Sequence, residues 1–409
     1  MRQISLRQSL RRLNPNFSKN NYLLLIVMML SCVGMFAFFP YVVVELPIFS
    51  GISVNDIGFL MLIGMIVGNF SAYILVNLLP SKASKKGFFL TIILLGVAIV
   101  FCYLSSLFLQ VAYILILLCL LLYRFSLGIY FTYSRVLQLE YLVNQSDTTK
   151  LFAYIKMVNS LGGAMGPLIG ALMLKLAGFQ GVLFFSLLCF LISACLVVRV
   201  ISTPTTTKKT ERQPMLLSFR VNKKTLLIGI ASFFHFIFEA QIYTYFTLMI
   251  KQNYHEYTAV ISSIFTLNSI LLIFMTIKVI NLVARIKNYS FQYTLGIGAS
   301  CVALVLFTFQ AESLPWLYFC ILLFTLGEII APQVSVIAIS NEKDPTKLKA
   351  NMSFYNLCTS SLGLGVGSYL GVYIFGLGVG SIAIFTWFLI FVLSAVFFAW
   401  AMRYYSHNT

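Results

Sequence analysis

Two ionisable residues stand four positions apart in the middle of an apolar run. His235 and Glu239 have the i, i+4 spacing that places side chains on one face of a helix, and Tyr243 continues this stripe. A carboxylate in a poorly hydrated site binds a proton more readily because desolvation disfavours its charged form, and histidine titrates near neutral pH. The spacing predicts that Glu239 carries protons with help from His235. The alternative is a buried pair that only fixes helix contacts.

Two further ionisable residues, Arg124 and Glu328, lie comparably deep in other apolar runs. A charged side chain at mid-bilayer costs about 2.5–3.5 kcal/mol on insertion scales, so such residues are functional candidates by default. Arg124 cannot readily deprotonate. We expect it either to take part in proton coupling through a neighbouring carboxylate, to hold an anionic substrate, or to pack against a carbonyl. Glu328 is expected to contact substrate or protons, or to make a structural hydrogen bond.

Aromatic and amide side chains complete the candidate substrate site. An apolar cavity with one acidic group suits an amphipathic organic molecule, including a cationic one, which aromatic faces attract. Hydrogen bonding between helices is the default role of an embedded asparagine, with substrate contact as the alternative. The candidate substrate-binding residues are Phe36, Glu239, Tyr243, Asn268, Glu328 and Asn356.

Long apolar runs must position these residues, and they indicate a membrane protein. The chain has 409 residues, of which 60% are hydrophobic and 10% charged, whereas soluble proteins carry about 25% charged residues. A helix needs roughly 20 apolar residues to cross a bilayer. The sequence predicts twelve spans, at 22–46, 55–79, 87–109, 111–136, 152–177, 181–199, 224–250, 257–284, 289–310, 314–340, 350–376 and 379–402.

Basic residues between the spans predict the orientation. They crowd the amino-terminal tail, the central linker and the loops after spans 2, 8 and 10, whereas the opposite face has only Lys175 and Lys251. Cytoplasmic loops carry an excess of lysine and arginine, so we expect a plasma (inner) membrane protein with both termini in the cytoplasm. Topology and contact with anionic lipid account for the net charge of +17, and no nucleic-acid partner is expected.

The two halves of the sequence resemble each other across a polar linker. Six spans separate the copies, which predicts parallel repeats with a substrate site near the midplane between them. We therefore predict an all-α fold of two pseudo-symmetric six-helix bundles at 21–201 and 224–403, with cytoplasmic segments at 1–20, 202–223 and 404–409. Three glycines carry the repeat at an offset of 201 residues: Gly162, Gly166 and Gly170 match Gly363, Gly367 and Gly371.

The residues 162–171, GGAMGPLIGA, resemble the GxxxGPxxGG motif of antiporters of the major facilitator superfamily, with Ala171 replacing the last glycine. Arg124 and Gly128 resemble the RxxxG motif of this family, whose arginine is linked to proton coupling. The loop after span 2 departs from the family pattern, because Asn77 stands where an aspartate belongs. The resemblance implies a twelve-helix, proton-coupled exporter of small organic compounds. A nutrient importer or uniporter is the alternative.

The motif in span 5 also predicts a conformational element. Gly162, Gly166 and Gly170 share one helix face that lets a neighbouring helix approach closely, and Pro167 removes a backbone hydrogen bond and favours a bend. We expect a face that slides or bends during transport, with ordinary packing of small residues as the alternative.

No sequence motif of an enzyme, an ATP-binding site, a metal site or a cofactor site is recognised. The eight cysteines all lie in apolar runs and none belongs to a CxxC pair. A membrane receptor or an intramembrane enzyme is the alternative class, but the sequence favours a transporter with no cofactor. Its expected partners are a small-molecule substrate, protons and the lipid bilayer, and we expect it to act as a monomer.

Overall fold

The computed structural model describes residues 17–78, 84–141, 148–199, 221–310, 312–340, 351–352 and 354–406. All regular structure in these ranges is helical, and eleven helices are long and apolar enough to cross a membrane. The predicted all-helical membrane fold is therefore confirmed. The predicted tails and linker lie largely outside the described ranges, and so does the loop after span 2. The division into two six-helix bundles stays a prediction.

The helices follow the predicted spans closely. In chain order within the described ranges, the α-helices are α1 Lys19–Phe38, α2 Val42–Ser50, α3 Val54–Leu78, α4 Ser84–Leu107, α5 Ala112–Glu140, α6 Thr148–Arg199, α7 Lys223–Ala240, α8 Tyr245–Asn253, α9 Tyr257–Val283, α10 Tyr289–Phe309, α11 Leu314–Ser340, α12 Leu364–Leu377 and α13 Gly380–Ser406. A π-helical segment, Leu357–Gly363, leads directly into α12.

Helix α6 covers both the fifth and the sixth predicted span. Its helical geometry fails at Ala177 (φ −143°, ψ 17°) and Gly178 (φ 63°, ψ −165°), where the predicted boundary falls. The backbone region that Gly178 adopts is open essentially to glycine alone, since a Cβ would clash there. The chain therefore changes direction at this glycine, although the number of twelve spans stays a prediction.

Spans 1 and 7 are interrupted, whereas the sequence predicted two continuous helices. A 3-10 segment, Phe39–Tyr41, separates α1 from α2 and contains Pro40, which has no N–H for an α-helical hydrogen bond. Another 3-10 segment, Gln241–Tyr243, separates α7 from α8. The prediction that Tyr243 continues the helical stripe of His235 and Glu239 is therefore wrong in its geometry, because the helix ends before Tyr243.

The repeated glycines make equivalent helix contacts in the two halves. A Cβ on Gly166 would lie 2.7 Å from the Cβ of Phe36, so α6 packs closely on α1. A Cβ on Gly367 would lie 2.7 Å from the Cβ of Ala240, so α12 packs in the same way on α7. The sequence repeat is thus a repeat of close helix contacts.

We call residues 17–199 the N-terminal half and residues 221–406 the C-terminal half. The halves are bonded to each other at the far end, which is the end where α2 and α8 finish. There the Tyr257 hydroxyl donates to Glu45 Oε1 at 2.6 Å, and Lys251 Nζ donates to the Val44 carbonyl. The near end is the end where α1 and α7 begin. Away from the far end, Asn69 Nδ2 of α3 donates to the Ser360 carbonyl at 2.8 Å, and the Thr266 hydroxyl of α9 donates to the Ala164 carbonyl of α6 at 2.9 Å, so further hydrogen bonds join the halves.

Candidate functional site

A cavity of about 490 Å³ lies between the two halves. This volume falls within the range of roughly 300–1,000 Å³ that small-molecule sites occupy. The N-terminal half contributes residues of α1, α5 and α6, and the C-terminal half contributes Tyr243 and residues of α9 and α11. Of the predicted substrate-binding residues, Phe36, Tyr243, Asn268 and Glu328 line this cavity.

A chain of hydrogen bonds holds Glu328 at the cavity wall. Asn268 Nδ2 donates to Glu328 Oε2 at 3.1 Å. The Thr325 hydroxyl shares its proton between two acceptors, Asn268 Oδ1 at 2.6 Å and the Ile321 carbonyl of its own helix at 2.7 Å, and its contact with Asn268 orients the amide. Because Thr325 and Glu328 both belong to α11 while Asn268 belongs to α9, these bonds also fix two helices to each other. The Glu328 carboxylate is thus held in place and faces the space that a substrate would occupy.

Glu239 is hydrogen-bonded to His235, as expected for two residues predicted to share one face of a helix. His235 Nε2 and Glu239 Oε1 lie 3.1 Å apart across one helical turn. Glu239 is 17% exposed while His235 is 1% exposed, so the carboxylate is the accessible member of the pair. His235 Nδ1 is buried without a hydrogen-bond partner among the described residues. Glu239 is not among the residues that line the cavity described here.

Aromatic rings connect Arg124 to the cavity wall. The ring centroids of Phe39 and Tyr243 lie 4.9 Å apart, and those of Tyr243 and Phe265 lie 5.2 Å apart. The Arg124 guanidinium carbon lies 4.3 Å from the Phe39 centroid, which is cation–π geometry. Arg124 makes no salt bridge with another described residue, so its positive charge is held by an aromatic face rather than by a carboxylate.

Asn356 does not join the predicted substrate site. It is exposed, immediately precedes the π-helical segment, and is not among the residues that line the cavity. The predicted conformational element of span 5 lies within helix α6. Pro167 belongs to this helix, and its carbonyl accepts a 2.8 Å hydrogen bond from the Tyr41 hydroxyl. Gly162 and Gly166 contact α1, as a close-packing face requires.

Lys156 is a cavity residue that the sequence interpretation missed. It lies on α6, is exposed to the cavity, and makes no salt bridge with the described residues. Lys156 falls within the predicted span 5, at residues 152–177, but the sequence analysis did not single it out as an embedded charge. Asn159 and Gly163, which also line the cavity, follow Lys156 by three and seven residues. This spacing puts the three residues on one face of the helix and is the sequence signal that could have identified Lys156.

The model of the Major Facilitator Superfamily matches residues 24–368 of the chain, whereas no curated protein sequence matches it. Among solved structures, it is similar to a POT family transporter in complex with a thioalcohol-conjugated peptide (TM-score 0.77, 10% identity, covering 96% of this chain and 99% of that one). It is also similar to the nucleoside transporter NupG, with a TM-score of 0.73 and 13% identity over 94% of this chain and 99% of that one. A third similar structure is the human organic anion transporter TETRAN, with a TM-score of 0.64 and 14% identity over 94% of this chain and 100% of that one. At such identities, the likeness establishes the fold alone.

Proposed function

Because the chain belongs to the Major Facilitator Superfamily, we propose that it is a proton-coupled secondary transporter that exports small amphipathic organic compounds by alternating access. It is a transporter and not an enzyme. The observation that carries the proposal is the accessible Glu239, bonded to a buried histidine, next to a cavity with the Glu328 carboxylate on its wall.

Glu239 is the proposed proton carrier. Its side chain is 17% exposed, and its hydrogen bond to His235 Nε2 changes character with its protonation state. When Glu239 is charged, an imidazole with its proton on Nε2 donates to the carboxylate. When Glu239 is protonated, the carboxyl group can donate to a neutral imidazole nitrogen instead. The hydrogen bond between the two side chains can thus be kept in both protonation states.

The direction of transport rests on the resemblance of span 5 to the exporter motif. Gly162, Gly166 and Pro167 stand where that motif requires them, and the two glycines pack closely on α1. The hydrogen bonds of Tyr257 and Lys251 at the far end favour a state that is open towards the termini. With cytoplasmic termini in a plasma membrane, this is the state in which an exporter loads its substrate.

Import of a small polar nutrient is the second candidate function. Two observations favour it: the named structural relatives include peptide and nucleoside transporters, and the cavity carries charged groups on both walls, Lys156 and Glu328. The two candidates share the proton carrier and differ in direction. In cells that lack efflux pumps, raised tolerance to toxic compounds supports export, whereas growth that depends on a supplied nutrient supports import.

The proton-carrier proposal is tested by flux in proteoliposomes with an imposed pH gradient. Glu239→Gln keeps the size and hydrogen bonding of the side chain but cannot release a proton, so we expect gradient-driven substrate flux to fall at least tenfold. Substrate exchange without a gradient is expected to continue. The matched control, Glu256→Gln, alters an exposed carboxylate in the turn before α9 and should leave both fluxes unchanged. Gradient-driven flux at the wild-type rate in Glu239→Gln would remove Glu239 from this role.

A further inference from the structure

Lys156 stands on the cavity wall without a described counter-ion. It belongs to the apolar helix α6, and within the described residues no carboxylate lies within salt-bridge distance of it. Placing a charged lysine inside a membrane-embedded bundle costs free energy, so such a lysine is found where it contacts water, an opposite charge or a substrate. Its exposure to the cavity means that an anionic group of a bound molecule can reach it.

The opposite charge faces Lys156 from the other half of the protein. Glu328 lines the same cavity from α11 of the C-terminal half. Asn268 holds the Glu328 carboxylate in place at 3.1 Å, so this negative charge is fixed while the longer lysine side chain can adjust. The cavity therefore has a positive wall in the N-terminal half and a negative wall in the C-terminal half.

Aromatic side chains form the surface between the two charges. Phe36 and Phe131 line the cavity from the N-terminal half, and Phe265 and Tyr243 line it from the C-terminal half. These rings provide an apolar surface for the body of a ligand, and the Tyr243 ring is held by its contacts with Phe39 and Phe265. The lining thus combines a cation, an anion and an apolar middle.

The geometry points to a binding site for small zwitterions with an apolar or aromatic body, in which Lys156 binds the anionic group and Glu328 binds the cationic group. This assignment rests on the proposed transport function and narrows its substrate class. A purely cationic molecule would be repelled by Lys156, and a purely anionic one by a charged Glu328. A zwitterion satisfies both walls and brings no net charge into the membrane.

The test measures binding to the purified full-length protein at neutral pH, by calorimetry and by thermal stabilisation. The probes are phenylalanine and alanylphenylalanine as zwitterions. For each, the C-terminal amide supplies the matched cation, the N-acetyl derivative supplies the matched anion, and the doubly capped form is neutral. We expect at least one zwitterion to bind ten or more times more tightly than its three capped forms.

Substitutions then assign the two charges. Lys156→Met should weaken binding of the zwitterion and of the anion about tenfold, because charge-assisted hydrogen bonds are the strong ones. It should strengthen binding of the cation, because the repulsion by Lys156 is removed. Lys156→Arg should restore zwitterion binding. Glu328→Gln should weaken the zwitterion and the cation. Lys175→Met, at the exposed far part of the same helix, is the control and should bind like the wild type.

The inference is overturned if neither zwitterion binds, if a capped form binds as tightly as its zwitterion, or if Lys156→Met leaves zwitterion binding unchanged. These outcomes are separate from failure of the transport proposal. If the zwitterion binds in a manner that depends on Lys156 but no pH gradient drives its flux, proton coupling fails while the site stands. If a pH gradient drives flux of other compounds while the zwitterions do not bind, the transport proposal stands and the site assignment fails.

Discussion

At the scale of single residues, the cavity depends on a carboxylate that is positioned through two other side chains. Thr325 orients Asn268, and Asn268 holds Glu328, so the direction of the acidic group is set by a threonine that is not among the residues lining the cavity. Such chains of buried hydrogen bonds are worth most when every member is satisfied. Thr325 is therefore a positioning residue for whatever binds at Glu328.

Thr325→Val tests this positioning role. The variant keeps the shape of the side chain but removes the 2.6 Å bond to Asn268, which is worth about 1 kcal/mol. We expect KM for a transported substrate to rise about fivefold, a factor that corresponds to about 1 kcal/mol, with little change in kcat. The control is Thr386→Val, because that hydroxyl bonds only to the Ile382 carbonyl of its own helix among the described residues. An unchanged KM in Thr325→Val would contradict the role.

Residue types and spacing identified the charged centre of the site but not all of its lining. His235 and Glu239 are bonded as their spacing predicts, because two positions one helical turn apart must share a face. Lys156 was missed, and two predicted substrate-binding residues, Glu239 and Asn356, are not among the residues that line the cavity. Which side of a helix faces a cavity depends on how that helix packs, and depth depends on where it begins. Neither is fixed by the residue itself.

At the scale of elements, the two interrupted helices have equivalent positions in the two halves. Each of the 3-10 segments, Phe39–Tyr41 and Gln241–Tyr243, contacts a repeated glycine: a Cβ on Gly170 would meet the Tyr41 ring, and one on Gly371 would meet the Gln241 amide. The ring centroids of Phe39 in the first segment and Tyr243 in the second lie 4.9 Å apart. The ring contact joins the halves between the cavity and the far end. Pro40 is a sequence signal for the first interruption, whereas the second interruption contains no proline. At the second one, Gln241 Nε2 donates to the Gly367 carbonyl of α12 at 3.0 Å and stabilises the 3-10 segment.

The close contact of α6 with α1 gives a stability prediction. In Gly166→Val, the new Cβ would lie 2.7 Å from the Phe36 Cβ and 2.9 Å from the Ala37 amide nitrogen, so the helices must separate. Overpacking of this kind costs about 1–3 kcal/mol. We expect a lower midpoint of thermal unfolding in detergent and less folded protein in membranes. Leu168→Val, at an exposed position of the same helix, is the control, and equal stability of the two variants would contradict the packing argument.

At the scale of the whole molecule, the account requires the two halves to move against each other. Tyr257 donates to Glu45 across the halves at the far end, so a state that is open at that end requires Tyr257 to release Glu45. The sequence predicted the membrane fold well, because apolar length and loop charge follow from the bilayer itself. It could not predict which end is closed, because both states use the same helices and differ only in how the halves meet.

Distances between helices of the two halves test this central claim most directly. Spectroscopic labels at Leu90 and Phe291 mark the near ends of α4 and α10, and labels at Leu107 and Phe309 mark the far ends of the same helices; all four positions are exposed. On a shift from pH 8 to pH 5 in lipid, we expect the far pair to separate while the near pair approaches, and we expect Glu239→Gln to abolish this response. If both distances stay constant, or change in the same direction, the protein does not work by proton-driven alternating access.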